Sequence, residues 1–234
     1  DRDHLTQHSI PQLLRWRVDA TGEKVALREK DFGCWNSYTW NHYYDFVRRA
    51  GLGLKKIGFG KDDKIAIISD NIPETLYMAI GAQAVGGVSA AIYQTSLPHE
   101  IGDILAYLNV SIVFCNDQEQ VDKVAEVREQ IPFVKQVIYE DPRGMRGYQA
   151  DEWFMFIEDL YKLGDELHQE DPALFDSLVD EGSPDDVCHY CLTSGTTGLP
   201  KGAMLTHRNY INMGLQLTKV DPLEDTDEYV SFLP

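Results

Sequence analysis

Val187-Cys188-His189-Tyr190-Cys191-Leu192, followed at once by Thr193-Ser194-Gly195-Thr196-Thr197-Gly198-Leu199-Pro200-Lys201-Gly202, is the stretch on which the reading of this chain turns. The first six residues form a mostly apolar run that predicts a buried strand. The next ten hold four hydroxyl side chains, three glycines and one lysine. Glycines let backbone N–H groups turn toward an anion, hydroxyls add donors or a metal ligand, and a lysine adds compact positive charge. A strand that runs into such a cluster predicts a polyphosphate cradle. The order differs from the common Walker loop, in which glycine precedes the lysine and Ser or Thr follows it. Here Pro200 precedes Lys201 and Gly202 follows. Proline fixes its own backbone and lacks a donor, so this cradle must close in another way.

Outward from that stretch, strands and helices alternate. Lys64 to Ser69, Val88 to Tyr93, Ser111 to Cys115 and Val134 to Tyr139 read as strands. Tyr43, Phe46, Val47, Ala50, Leu54 and Ile57 recur at helical spacing, with Thr39 as N-cap and Gly58 as stop. Further helices are expected from Pro73 to Gly86-Gly87, after a cap at Ser96, over Gln118 to Gln130, and over Thr206 to Thr218. Such alternation predicts an α/β fold with mostly parallel sheets flanked by helices. In these folds ligands bind beyond the carboxyl ends of the strands, where the Thr193–Gly202 run begins. Residues 139–186 break the rhythm. Trp153 to His168 and Pro172 to Val179 read as helices of an acidic surface excursion, and 187–234 as the lobe that carries the cradle. Tyr229 to Pro234 reads as a final strand. The aromatic group Trp16, Trp35, Trp40, Tyr43 and Tyr44 is expected to serve core and lobe packing.

The 234 residues suffice for one large domain or two small ones, and an apolar fraction of 43% supports a real core. Net charge is −17 and the pI is near 4.7. That excludes non-specific nucleic-acid binding, which needs a basic footprint, and means an anionic ligand must be held by a local nest. Much of the excess lies in residues 151–186, with thirteen Asp and Glu against Lys162 alone; solvated helix faces are the expected use of such a run. Cys34, Cys115, Cys188 and Cys191 are too few and too dispersed for a disulfide framework, so a reducing compartment is expected. Cys188 and Cys191 stand three apart on a strand and should point to opposite faces, which argues against a shared metal. Thr75 to Pro98 carries no charged residue, but its Gly86-Gly87 pair divides it into a buried helix and a buried strand. The first residues, Asp1-Arg2-Asp3-His4, do not resemble a secretory signal, and a cytoplasmic location, with peripheral membrane contact as an option, is the expectation.

The run Thr193–Gly202, continued by Ala203-Met204-Leu205-Thr206-His207-Arg208-Asn209, resembles the signature loop of the AMP-forming acyl-CoA synthetase, luciferase and peptide-synthetase adenylation superfamily. Leu192 stands where that family usually has an aromatic residue. The stretches Tyr139 to Tyr148 and Ile92 to Pro98 are similar to the long-chain fatty-acid–CoA ligase branch. The resemblance implies activation of a carboxylic acid, a long-chain fatty acid in this branch, by ATP and Mg²⁺ to an acyl-adenylate and pyrophosphate, then transfer to coenzyme A. It implies that Thr193 and Lys201 act in catalysis, that Thr193 meets the metal, and that Thr193, Ser194, Gly195, Thr196, Thr197, Gly198 and Lys201 hold the nucleotide. His207 and Arg208 are expected to do no more than start the next helix, and His42, His99 and His168 receive no role. The resemblance covers the front part of a family member only. The small C-terminal domain and its lysine would lie downstream, and these residues alone are expected not to turn over. Two other functions fit the same run: an adenylation domain that loads a carrier protein, and a nucleotide-binding regulatory protein with a degenerate site.

Overall fold

The patterns resolve into a chain of alternating elements in the computed structural model, which describes residues 3–193, 201–224 and 226–231. In order these are α1 (Ile10–Thr21), β1 (Val25–Asp31), β2 (Cys34–Thr39), α2 (Trp40–Lys56), β3 (Lys64–Ile68), α3 (Pro73–Ala84), β4 (Val88–Ala91), α4 (Pro98–Leu108), β5 (Ile112–Cys115) and α5 (Gln118–Glu126). There follow β6 (Gln136–Tyr139), β7 (Phe154–Phe156), α6 (Ile157–Glu170), α7 (Leu174–Glu181), β8 (Val187–Thr193), β9 (Lys201–Thr206) and α8 (His207–Val220). Seven strands form one sheet in the order β7-β6-β5-β3-β4-β8-β9. All neighbours are parallel except β8 and β9. β1 and β2 form a separate antiparallel hairpin.

Alternation along the central strands explains why both sheet faces are covered. Ile65 and Ile67 of β3, with Ile112 and Phe114 of β5, pack against Leu54 of α2, Met78 of α3 and Leu160 of α6. Ala66, Ile68, Val113 and Cys115 point the other way, onto Ile101 and Leu105 of α4 and Val121 and Val124 of α5. All of these side chains are buried. Near-continuous apolar strands of this kind are what a doubly covered parallel sheet requires. The Thr39 cap of α2 is present: its hydroxyl accepts from His42 N–H at 3.2 Å.

The helices on the first face approach closely enough to need glycine. A Cβ on Gly51 of α2 would lie 2.9 Å from the carbonyl oxygen of Gly81 in α3, and one on Gly81 would lie 2.8 Å from Gly51 N. Above this crossing Phe46 stacks on Tyr77 at 5.0 Å and Tyr43 tilts against Tyr77 at 5.5 Å.

Several sequence expectations shift. The cap of α4 is Leu97, not Ser96; the first turn is closed instead by Glu100, whose carboxylate accepts from Leu97 N–H at 2.8 Å. No strand forms over Tyr229–Ser231, and Phe232, Leu233 and Pro234 lie outside the described residues. Trp40, Tyr43 and Tyr44 pack as expected, but Trp16 and Trp35 stand more than half exposed. The stretch 139–186 is fastened to the fold: β7 extends the sheet beside β6, and Leu160, Tyr161 and Phe175 are buried. Its acids are partly spoken for. Asp165 accepts from Arg48 of α2 at 3.0 Å, Glu170 meets Lys56 at 2.8 Å, and Asp180 pairs with Arg15 of α1. Among the described residues no helix is long and apolar enough to cross a membrane.

Glu74, in the first turn of α3, sits in an acidic neighbourhood. Burial, with the charges of Glu140, Glu29 and Glu158 adding to it, pushes its carboxyl up to about 7, against a backbone hydrogen bond that pulls the other way. The buried hydroxyls of Tyr77 and Tyr161, also within the field of Glu74, have no hydrogen-bond partner among the described residues.

Two predictions follow from this packing. Gly51→Ala should lower stability by about 1–3 kcal/mol, because the new methyl meets backbone that cannot move aside. Gly214→Ala, mid-helix in α8 with open space around it, should instead raise stability by about 0.5–1 kcal/mol; urea midpoints report both. For Glu74 the folded carboxyl keeps a proton that the unfolded one releases. Its favourable contribution is complete below pH 4.5 and is lost as pH rises through about 7. Glu74→Gln should therefore leave Tm unchanged near pH 4.5 and raise it increasingly up to about pH 7, after which the gain levels off.

Candidate functional site

β8 is the strand that delivers the signature run, and its register is set by a polar network on β4. Ser89 and His189 are partners across the parallel pair, as are Ala90 and Tyr190. The Ser89 hydroxyl, 1% exposed, donates to the Cys188 carbonyl at 3.2 Å and lies 2.9 Å from His189 Nδ1. Gln83 Nε2 donates to the same carbonyl at 3.2 Å and to Ser89 Oγ at 3.3 Å. Burial holds the His189 imidazole below its usual range. Cys188 is buried, its thiol pushed up to about 12 by burial, whereas Cys191 is exposed. The two thiols diverge as their spacing requires, and among the described residues no three groups gather to hold a metal.

Thr193 ends β8 and Lys201 begins β9, and the two face each other as the last partners of the antiparallel ladder. The Thr193 hydroxyl donates to the Lys201 carbonyl at 3.1 Å. Both residues are exposed, at the carboxyl end of the parallel strands. They bracket Ser194, Gly195, Thr196, Thr197 and Gly198, which with Leu199 and Pro200 lie outside the described residues. The run therefore leads from strand to strand. In a Walker loop a helix N-terminus supplies part of the positive field; here the remaining five residues of β9 stand between Lys201 and α8.

β9 was not legible in the sequence, although the proline before Lys201 and the cap at Thr206 frame it. The motif glycine Gly202 has a packing reason. A Cβ there would come within 3.1 Å of the Tyr190 ring and 3.3 Å of Leu108, so the strand lies close over both. Thr206 then caps α8 reciprocally with Asn209: its hydroxyl accepts from Asn209 N–H at 3.2 Å, and Asn209 Oδ1 accepts from Thr206 N–H at 3.0 Å.

His207 and Arg208 do more than start a helix. His207 is 3% exposed and its Nδ1 accepts from Ile10 N–H at 3.1 Å, at the first turn of α1. Its own N–H donates to the Asp186 carbonyl. Arg208 donates from Nε and Nη2 to the Asp185 carboxylate at 2.7 and 2.9 Å, and from Nη1 to the Thr6 carbonyl at 2.9 Å. Two adjacent side chains at the start of α8, directly after β9, thus tie the N-terminal segment and the turn before β8 to the end of that strand. His42, His99 and His168 take no part in this site.

The donor set fits a metal-bound polyphosphate in one respect that the structure shows. The Thr193 hydroxyl spends its proton on Lys201, which leaves its oxygen lone pairs for a cation, and the Lys201 side chain is exposed beside it. No carboxylate stands on β9 itself, and a Mg²⁺ ion here would draw its other ligands from phosphate oxygens, water and a carboxylate supplied from elsewhere in the protein.

Burial, against the pull of the Asp186 charge, holds the His207 imidazole down to about 4. It stays neutral, with the acceptor nitrogen available to Ile10. The unfolded chain takes up a proton below about 6.5 that the folded one refuses, so this stabilising contribution is lost as pH falls toward 4. His207→Asn, which keeps an acceptor but cannot titrate, should flatten the fall of Tm between pH 6.5 and 4.

The family model for AMP-binding enzymes matches residues 14–234. The long-chain-fatty-acid–CoA ligase ACSBG1 of Bos taurus is 31% identical over 234 residues, covering 98% of this chain and 31% of its own length. ACSBG2 of Xenopus laevis is 28% identical over 231 residues, covering 97% and 30%. The chain thus spans about a third of the length of these curated relatives. Among solved structures, the anthranilate CoA ligase AuaEII in complex with anthranoyl-AMP superposes with a TM-score of 0.70 at 18% identity, over 92% of this chain and 38% of that one. The inhibitor-bound N-terminal domain of FACL13 from Mycobacterium tuberculosis gives 0.64 at 22%, over 86% and 44%. Both structures share the α/β fold described above. With the signature run, its strand-to-strand setting and a family match over nearly all its length, the chain belongs to the AMP-binding enzyme family.

Proposed function

We propose that this chain is the N-terminal, phosphate-binding part of an ATP-dependent ligase that converts a carboxylic acid to acyl-AMP and pyrophosphate and then passes the acyl group to coenzyme A. A long-chain fatty acid is the proposed acid, the class named for the relatives ACSBG1 and ACSBG2. The observation that carries the reading is the Thr193–Lys201 pair at the neck of the signature run, at the carboxyl end of a parallel sheet. Displacement at the α-phosphate needs stabilisation of charge on the leaving pyrophosphate, and no protein nucleophile. In this reading Lys201 places positive charge at those oxygens. Ser194, Gly195, Thr196, Thr197 and Gly198 supply hydroxyl and backbone N–H donors, and the Thr193 oxygen faces the metal. A bound Mg²⁺ would supply Lewis-acid neutralisation of the phosphate oxygens. The His207 and Arg208 contacts hold the exit strand, and with it the base of Lys201, against the rest of the fold.

The decisive experiment is carboxylate-dependent ATP–pyrophosphate exchange by the full-length gene product, across acids of increasing chain length and without coenzyme A. Exchange that rises with long-chain acids, with AMP as the nucleotide product, is the expected outcome. Lys201→Ala should reduce that exchange by about 100-fold while leaving Tm within a degree or two. Release of ADP, or no exchange with any acid by a folded protein that binds ATP, would remove the ligase reading and favour a regulatory nucleotide-binding role.

A further inference from the structure

Tyr77 of α3 and Tyr161 of α6 are 0% and 3% exposed, and neither hydroxyl has a hydrogen-bond partner among the described residues. Other side chains with an unpartnered buried atom bond through a second one: Arg48 through Nη2, Gln83 through Nε2 and Asn116 through Nδ2. A tyrosine has one polar atom only, so here the whole polar capacity of two side chains is unmet. Native cores rarely keep such groups unmet, because each costs its desolvation without return. The two hydroxyls belong to one place. Phe46 of α2 packs against both rings, stacked on Tyr77 at 5.0 Å and tilted against Tyr161 at 5.4 Å. Glu74 lies one turn before Tyr77 on the same face of α3. Burial raises both phenols, and the charge of Glu74 adds to it in each case. Glu74 is half-buried at the carboxyl end of the sheet, where Glu140 follows β6 and Glu158 begins α6.

The chemistry of the place selects its occupant. The hydroxyls lie beneath α2, α3 and α6 of this chain, among apolar neighbours that include Ile138, Ile157 and Leu160. The partner must therefore be small, and it must accept from two phenols at once. Among the described residues no three metal-ligating groups gather. A monovalent cation would need an ionised carboxylate, whereas burial favours the neutral form of Glu74. Water offers two acceptor and two donor positions, carries no charge, and is the usual partner of buried polar groups that the chain leaves unmet. We propose that Tyr77, Tyr161 and Glu74 together hold an internal water, which accepts from the two phenols and donates to the Glu74 carboxyl. This site is distinct from the Thr193–Lys201 neck and stands independently of the ligase reading, since it is read out without turnover.

Tyr77→Phe and Tyr161→Phe remove the hydroxyls and nothing else. An unmet hydroxyl is a burden, so its removal would leave the fold as stable or more so; a hydroxyl bonded to water stabilises it. Each substitution should therefore raise the unfolding constant by about fivefold, read from urea titrations. Because both phenols act through one water, the double variant should lose less than the product of the two single effects. Glu74 supplies a readout that ring packing alone does not move. With the water lost, its ionised form has one donor fewer, so the NMR titration of the Glu74 carboxyl should shift to higher pH in both variants. A crystal structure of the full-length gene product should show a water within hydrogen-bond distance of both phenol oxygens. Equal or greater stability of either phenylalanine variant, an unmoved Glu74 titration, or a crystal structure with no water there would each overturn the proposal. So would a side chain from elsewhere in the protein, or an ion, seated between the two phenols.

Discussion

The pairing of β8 with β4 is the constraint on which the rest of the arrangement depends. The two strands lie about a hundred residues apart in sequence, and a slip of one residue would turn every side chain of β8 to the opposite face. Burial alone would specify this weakly, because on the inward face of β8 only Cys188 is buried, while Tyr190 and Leu192 are half-buried. The hydrogen bonds from Ser89 and Gln83 to the Cys188 carbonyl, and the Ser89–His189 contact, supply what the apolar pattern lacks. Once β8 is registered, Thr193 falls at the strand end, β9 folds back along β8, and Lys201 arrives opposite Thr193. A buried polar network that is satisfied on most of its members commonly serves to specify one arrangement among several.

Legibility in the sequence followed the physics of each segment. β5 is apolar throughout and β3 is apolar after Lys64, and α4 between them carries a clear 3.6 period, so the parallel sheet and its helical layers could be read directly. The Thr39 cap was visible because a capping hydroxyl acts within four residues. The β1–β2 hairpin was not, because its turn lacks the usual asparagine or glycine in first position and its strands carry charged and aromatic residues on an exposed face. β9 escaped because Lys201-Gly202-Ala203 has weak strand propensity and is held by pairing rather than by composition. Thr193 and Lys201 were identified from the motif; their mutual contact depends on a ladder that only the fold reveals. The role of His207 was invisible for the same reason, since its partner Ile10 lies 197 residues away.

A chain of charge −17 that is proposed to hold an anion at the Thr193–Lys201 neck needs its acids to be occupied elsewhere. Part of that occupation is visible. Asp165, Glu170 and Asp180 of the acidic stretch pair with Arg48, Lys56 and Arg15, and Asp185 pairs with Arg208. Most of these partners are exposed enough that each pair adds little stability. Their consequence is a matter of field: charge neutralised within a few ångströms is felt weakly at distances beyond the screening length. Glu74 and Glu140 reduce the field differently, since burial raises both carboxyls and favours their neutral form.

The strand-to-strand setting of the signature run changes how it can hold phosphate. A loop that opens a helix shares that helix's macrodipole, which the protein provides whether or not a lysine is present. Two antiparallel strands provide almost none, because their peptide dipoles largely cancel. In the proposed reading the positive charge at this neck is then supplied chiefly by Lys201. Lys201 is also a ladder residue, so its backbone is fixed by Thr193 while its exposed side chain is left to meet the phosphates in the proposed reading. Proline directly before it suits this division, since a residue that cannot donate to a ladder belongs at the boundary where the ladder begins. The same geometry explains why His207 and Arg208 matter at a distance. They anchor the far end of β9, and a six-residue strand fixed at both ends holds its first residue in place more firmly than a free loop would.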